Sequence, residues 1–256
     1  MKTELEHAAD VLARAKYCVA LVGAGISVES GIPPFRGAGG LWTRHGEPPM
    51  DQYAQAMSDP KAYWQSMLSR RGSDDEFTRA IREARPNEAH HALARLERIG
   101  VLRHTITQNI DNLHFVAGSV AVTEIHGNRT KLRCIDCGAR WPFDEFPLDE
   151  ADLPPACPLC RGIVKGDTVM FGEAIPQAAL AECYAHSEQA DCMLIAGTSA
   201  TVTPAAWFPQ VVLEQGGVLV EVNVDETPLS SLCEASLRGQ AGVVLPALVE
   251  AVEAAR

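Results

Sequence analysis

The chain has 256 residues, of which 46% are apolar and 21% charged, the proportions of a soluble globular protein with one large domain or one domain plus a small module. Its net charge of −11 excludes a sequence-independent grip on nucleic acid, which needs surplus Lys and Arg against phosphate, but suits a basic peptide partner. The amino-terminal stretch MKTELEHAADVLARAKYC lacks the apolar core of an export signal, and no apolar run approaches the roughly 18 residues of a membrane span, so a cytoplasmic protein with neither membrane nor nucleic-acid partner is expected.

The elements are predicted in chain order as follows. Leu5, Ala8, Ala9, Leu12 and Ala15 share one stripe of LEHAADVLARAK, predicting an amphipathic helix. YCVALVGAG is a short apolar run closed by glycine, as a buried strand should be. Residues 38–86, helical and polar behind the GAGG stretch, form an expected cover insertion. In PNEAHHALARLERIG, Asn87 is the N-cap, Ala89, Leu93 and Leu96 keep helical spacing, Arg95 and Arg98 lie in the last turn, and Gly100 closes the helix. LRHTITQNI and VAVTEIHG are further strands. Residues 129–172 break the alternation with two CxxC pairs, several prolines and an acidic stretch, and are expected to be a small inserted module. DCMLIAGTS and GVLVEVNVD complete five apolar segments that end in polar or glycine residues. Alternating strand and helix implies an α/β, doubly wound parallel sheet, with ligands beyond the carboxyl ends of the strands. The large domain would then comprise 1–37, 87–128 and 173–256.

Cys134-x-x-Cys137 and Cys157-x-x-Cys160 are separated by 19 residues. Two such knuckles supply four thiolates for one tetrahedral, structural Zn2+ with no open coordination position. Cys18, Cys183, Cys192 and Cys233 lie in apolar segments and are expected to be buried small residues.

Gly23-Ala24-Gly25 follows a strand, and its glycines permit a tight turn with backbone close to a phosphate. The regular dinucleotide fingerprint would place glycine at position 28, where this chain has Val28, and the acid ending the second strand is not evident. On this loop alone, a nucleotide site and a plain strand-to-helix turn are both open.

The longer stretch GAGISVESGIPPFRG (23–37) resembles the signature of the sirtuins, the NAD-dependent protein deacylases. So do TQNIDNLH (107–114), IHGN (125–128), MFGEAIP (170–176), GTSATVTPAA (197–206), EVNVDETPLS (221–230) and GQAGVVLP (239–246), in the family's order and across nearly the whole chain. The form is most similar to the compact bacterial-type members. The resemblance implies a Rossmann-type NAD-binding domain, a small zinc module, and NAD as co-substrate meeting an acyl-lysine peptide between them. It also implies that Ser30 to Arg36 continue as a cofactor loop in place of a longer helix.

The resemblance further implies roles for individual residues. Gly23, Ala24 and Gly25 would approach the diphosphate, with Ser27 and Arg36 as polar support, and Phe35 and Trp42 on the cofactor loop. Gly197, Thr198 and Ser199 would face phosphate or ribose. Asn223, Val224 and Asp225 would border the adenosine ribose, and Gln240 and Ala241 the adenine. Gln108, Asn109, Ile110 and Asp111 would meet the ribose and carboxamide, although Asp111 also suits a helix N-cap. His126 and Asn109 are the catalytic candidates: the acyl oxygen attacks ribose C1′ as nicotinamide leaves, and His126 activates the ribose hydroxyl that takes the acyl group. His114 is assigned to packing, and His90 and His91 to structural or exposed positions. Val169, Phe171, Gly172 and Glu173 would form a peptide-facing edge.

Family members that remove acidic acyl groups carry a Tyr-x-x-Arg pair in the cover helix, where this chain has Met67 and Arg70. Deacetylation is therefore the expectation, with longer or acidic acyl groups, or mono-ADP-ribosyl transfer, as the alternatives. A zinc-ribbon nucleic-acid binder is disfavoured by the acidic balance, and a hydride-transferring dehydrogenase by the interrupted fingerprint. The sequence leaves the oligomeric state open, with a monomer favoured.

Overall fold

The computed structural model describes residues 3–37, 39–71 and 73–256; Ala38, which opens the expected cover insertion, and Gly72 within it lie outside them, as do the first two residues. Ten helices are described: α1 Glu4–Arg14, α2 Leu41–His45, α3 Gln52–Ser58, α4 Pro60–Arg71, α5 Glu76–Glu83, α6 Glu88–Arg98, α7 Leu113–Val116, α8 Gln177–Gln189, α9 Phe208–Glu214 and α10 Ala241–Ala255. The strands are β1 Cys18–Val22, β2 Leu102–Thr107, β3 Val122–Glu124, β4 Lys131–Cys134, β5 Arg140–Pro142, β6 Val164–Gly166, β7 Cys192–Ala196, β8 Val218–Asn223 and β9 Ala235–Arg238.

Six strands form one parallel sheet in the order β3-β2-β1-β7-β8-β9. Its central strands are covered on both faces, which is why they are unbroken apolar runs. Side chains alternate across a strand. Cys18, Ala20 and Val22 of β1 therefore pack with Leu12 of α1, Leu93 and Leu96 of α6, and Leu245 and Leu248 of α10. Val19 and Leu21 pack on the opposite face with Cys183 of α8 and with Phe208 and Val212 of α9. The result is a doubly wound α/β sandwich. Cys18, Cys183 and Cys192 are buried within it, and Cys233 is partly buried.

Local signals set the helix ends. Thr3 and Glu6 close a capping box at α1. The Asn87 side chain accepts from Ala89 N at 2.9 Å, as its sequence position predicts, and its amide also ties α6 to the Ile26 carbonyl and the Ser30 hydroxyl. Gly100 follows α6 at φ +75, the left-handed geometry favoured after a helix.

The second sheet is three-stranded and antiparallel, in the order β5-β4-β6. Helix α4 lies on it. Trp64 is fully buried among Leu132, Val164 and Phe146, and its Nε1 donates to the Val164 carbonyl at 2.8 Å. The segments 38–86 and 129–172 thus share one core. Each is too small to bury its own apolar side, and together they make a second layer beside the large sheet.

Candidate functional site

The chain leaves β1 toward β2 and β3 on one side and later fills β7, β8 and β9 on the other, so the carboxyl ends of β1 and β7 form the topological switch point where α/β sheets bind ligands. Two glycine loops meet there. Gly23 N donates to the Ala196 carbonyl at 3.2 Å and Gly25 N to the Gly197 carbonyl at 2.8 Å. A Cβ on Gly25 would lie 2.7 Å from Gly197 Cα, and Gly197 itself sits at φ +59. Residues 24–30 form a short 3-10 turn instead of a long helix, closed by Gly31 at φ +86. Val28 stands on its exposed outer side, so no third glycine is needed.

Gln108 to Asp111 extend from the end of β2 along this turn. Gln108 N donates to the Val22 carbonyl and its Nε2 to Thr198 Oγ1 at 2.9 Å. The Asn109 amide donates to the Gly23 carbonyl and to Ser27 Oγ, both at 3.1 Å. Ser27 Oγ donates to Asp111 Oδ2 at 2.7 Å, and the other Asp111 oxygen caps Leu113 N. Burial pushes the Asp111 carboxyl above its ordinary range. The Ile110 carbonyl accepts from Arg129 N.

His126 follows β3. Its Nδ1 lies 3.0 Å from the Gln108 carbonyl, which can only accept, so Nδ1 carries the proton and Nε2 keeps its lone pair. Burial pushes its pKa below the ordinary histidine value, against the opposing effect of the Gln108 bond. Gly127, at φ +74, would place a Cβ 2.1 Å from the Asp167 carbonyl, and Val169 N donates to the His126 carbonyl at 2.9 Å. The turn is thereby fixed to the small layer.

Beyond the 3-10 turn, Phe35 packs on Trp42 at 4.8 Å and on Phe77 at 6.0 Å, and Trp42 meets Phe171 edge-on at 5.3 Å. Arg36 stacks over Trp42 and pairs with Glu47 at 2.9 Å, away from the glycine loops. At the carboxyl end of β8, the Asn223 amide donates to the Thr198 carbonyl at 3.0 Å. Ser199, Val224, Asp225 and Gln240 are exposed at the same sheet edge, and Ala241 is buried at the start of α10. Gly23, Gly25, Ser27, Gln108 to Asp111, His126, Gly197, Thr198 and Asn223 are joined by these contacts at the switch point; those of Arg36, Arg70 and Met67 lie elsewhere.

Met67 lies in the small-layer core, with Tyr63 OH donating to its sulfur at 3.4 Å. Arg70 lines a separate cavity of about 400 Å³ with Phe77, Thr78 and Arg129. Residues 169–173 are not a strand but a loop, with Glu173 N donating to the Met170 carbonyl. Tyr53 N donates to the Phe171 carbonyl, and Gly172, at φ +78, lies against the Met50 carbonyl. The Glu173 carboxylate, expected toward a peptide, faces inward: it pairs with Arg133 at 2.7 Å and with the fully buried Lys165 at 3.0 Å. The sequence reading missed this network, which also joins Arg133 to Asp167 and Arg140 to Glu124. The charge alternation in KLRC and VKGD was its only trace.

The four expected cysteines come together. Cys134 and Cys160 sulfurs are 3.5 Å apart, those of Cys137 and Cys157 3.7 Å, and all four lie within 4.8 Å of one another. A tetrahedron with metal–sulfur bonds of about 2.3 Å has sulfur–sulfur edges of about 3.8 Å, so the donor set fits a structural zinc.

The fold and site define a nucleotide-binding α/β protein with a cysteine-held zinc module. Residues 23–204 match the Sir2 family. A relative from Thermococcus kodakarensis, an NAD-dependent protein deacylase, is 42% identical over 253 residues, covering 97% of this chain and 96% of its own. A solved Sir2 homolog–NAD complex is 40% identical with TM-score 0.79, covering 96% of this chain and 93% of its own. A Sir2–p53 peptide–NAD+ structure is 33% identical with TM-score 0.75, covering 94% and 95%. The chain belongs to the Sir2 family.

Proposed function

We propose that this protein is an NAD-dependent protein-lysine deacylase, that acetyl-lysine peptides are its substrates, and that His126 is its base. The observation that carries the assignment is the single hydrogen bond from His126 Nδ1 to the Gln108 carbonyl, which leaves Nε2 as a proton acceptor one residue from the Asn109 contact to the glycine loop. NAD supplies the ribose carbon and hydroxyls that accept the acyl group, with release of nicotinamide.

Gly23, Ala24, Gly25, Thr198 and Ser199 hold the diphosphate side in this reading. Asn223, Val224, Asp225 and Ala241 hold the adenosine side. Asn109 and Asp111 orient the reacting ribose and carboxamide; Gln108 sets the tautomer of His126. Phe35, Trp42 and Phe171 form an apolar wall that excludes water, and Arg36, held on Glu47 beside Trp42, is the cation nearest that wall on the cofactor loop. The NAD lobe is assigned to 1–37, 87–128 and 173–256, the cover to 38–86 and the zinc module to 129–172. Met67, packed in the small-layer core, replaces the tyrosine of the acidic-acyl members, which favours acetyl over acidic acyl groups.

The test is nicotinamide release and lysine product formation from acetyl- and succinyl-lysine peptides, comparing wild type with His126→Ala. General-base loss should lower kcat/KM by roughly 10²–10⁴-fold. Equal turnover in the variant removes His126 from the chemistry, and ADP-ribose attached to protein without free lysine replaces deacylation with ADP-ribosyl transfer.

A further inference from the structure

Apart from the cysteine tetrad, one group among the described residues converges with metal-ligand spacing. The donor atoms of His104, Glu182 and His186 lie within 4.8 Å of one another. Glu182 and His186 are four apart on α8 and so share one face of the helix. His104 is the third residue of β2, with the same parity as Ile106, whose side chain packs with Cys183 of α8.

One nitrogen of each imidazole is hydrogen-bonded. His104 Nε2 lies 2.7 Å from Thr123 Oγ1, and His186 Nδ1 lies 2.7 Å from the Tyr17 hydroxyl. When these nitrogens donate, Nδ1 of His104 and Nε2 of His186 keep their lone pairs. A metal-binding histidine ordinarily has this form, with its second nitrogen hydrogen-bonded to an oxygen. The two ring centroids are 3.7 Å apart at 8°.

We propose that His104, His186 and Glu182 form a second metal site, for a divalent late first-row ion such as Zn2+ or Ni2+. Two imidazoles and one carboxylate match the ligand preferences of these ions, with water completing the coordination. The site lies at the amino-terminal end of β2, opposite the carboxyl edge that carries the glycine loops. Since a nitrogen lone pair lies in its ring plane, binding exchanges the face-to-face stack for two nitrogen–metal bonds. The half-exposed His186 turns on α8 while His104 stays fixed between strand and helix.

The experiment uses the full chain with its cysteine site filled by zinc. Dialysis against micromolar Zn2+ should leave two zinc ions per chain in the wild type and one in the double variant Glu182→Ala/His186→Gln, both changes at positions open to solvent. Ni2+ alone should raise the Tm of the wild type but not of the double variant, and each single variant should weaken Ni2+ binding at least tenfold. One zinc per chain in the wild type with no Ni2+-dependent Tm shift overturns the site. So does a second ion retained with unchanged affinity in the double variant. Circular dichroism of the variants confirms that they are folded.

Discussion

At the scale of the residue, the histidines divide by environment. The proposed base, His126, would act in its neutral form, and burial holds its pKa below the ordinary histidine value of 6.5. Activity should therefore rise with pH through a midpoint below 6.5 and be flat near pH 7. Initial rates from pH 5 to 8 on one acetyl peptide check this, and a midpoint above 7 contradicts it. His114 is buried with neither ring nitrogen hydrogen-bonded, and it meets His90 edge-on at 5.2 Å. Burial lowers these two to about 3 and about 4. The unfolded chain then takes up protons that the folded one refuses, so stability is full above pH 6.5 and falls as pH drops toward 4. The slope is about 1.4 kcal/mol per pH unit for each histidine. His114→Leu removes an unsatisfied polar group that costs about 1–3 kcal/mol. Urea unfolding at pH 7 and pH 5 should show it at least as stable as the wild type, with a shallower loss. His114 was assigned to packing from sequence, but its lack of a partner depends on which helices surround it.

The elements that were clearest in the sequence are those whose local pattern agrees with their packing. Asn87 and Gly100 mark the ends of α6, and the five apolar runs lie in the large sheet. Strand β9 was missed because ASLR offers one buried aliphatic turn of alternation at a sheet edge. α10 carries Pro246 inside it, a residue that signals a break. Segment 169–173, apolar enough for a strand edge, instead sets the Phe171 ring on Trp42 and offers its Phe171 carbonyl to Tyr53 N of α3. Two changes test the elements. Asn87→Ala loses the N-cap and both ties to the glycine turn, and should cost about 1–2 kcal/mol in denaturant unfolding. Gly25→Ala forces apart two backbones already in contact, which should cost about 1–3 kcal/mol. In the same variant the NAD concentration needed for half-maximal nicotinamide release should increase.

At the scale of the whole molecule, the two layers differ in what holds them. The large sheet has two apolar faces, whereas the small layer relies on Trp64, four cysteines and buried ion pairs. Zinc removal by a strong chelator should therefore abolish deacylation and expose Trp64 fluorescence while most helical signal persists. Retention of activity after complete zinc loss contradicts this. Glu173→Ala takes from the fully buried Lys165 its carboxylate partner, while Arg133 keeps Asp167, and loss of one partner from such a buried pair costs about 3–5 kcal/mol. The variant should melt earlier in the small layer than in the large one. The cysteine spacing made the metal visible in sequence, but the ion network joins residues up to 40 positions apart, and only the folded chain pairs them. The clasp between Val169 N and the His126 carbonyl, with Gly127 wedged on Asp167, has a mechanical result. The imidazole and the cysteine-bearing layer are therefore coupled: a shift of one would carry the other, as the two arms of a lever.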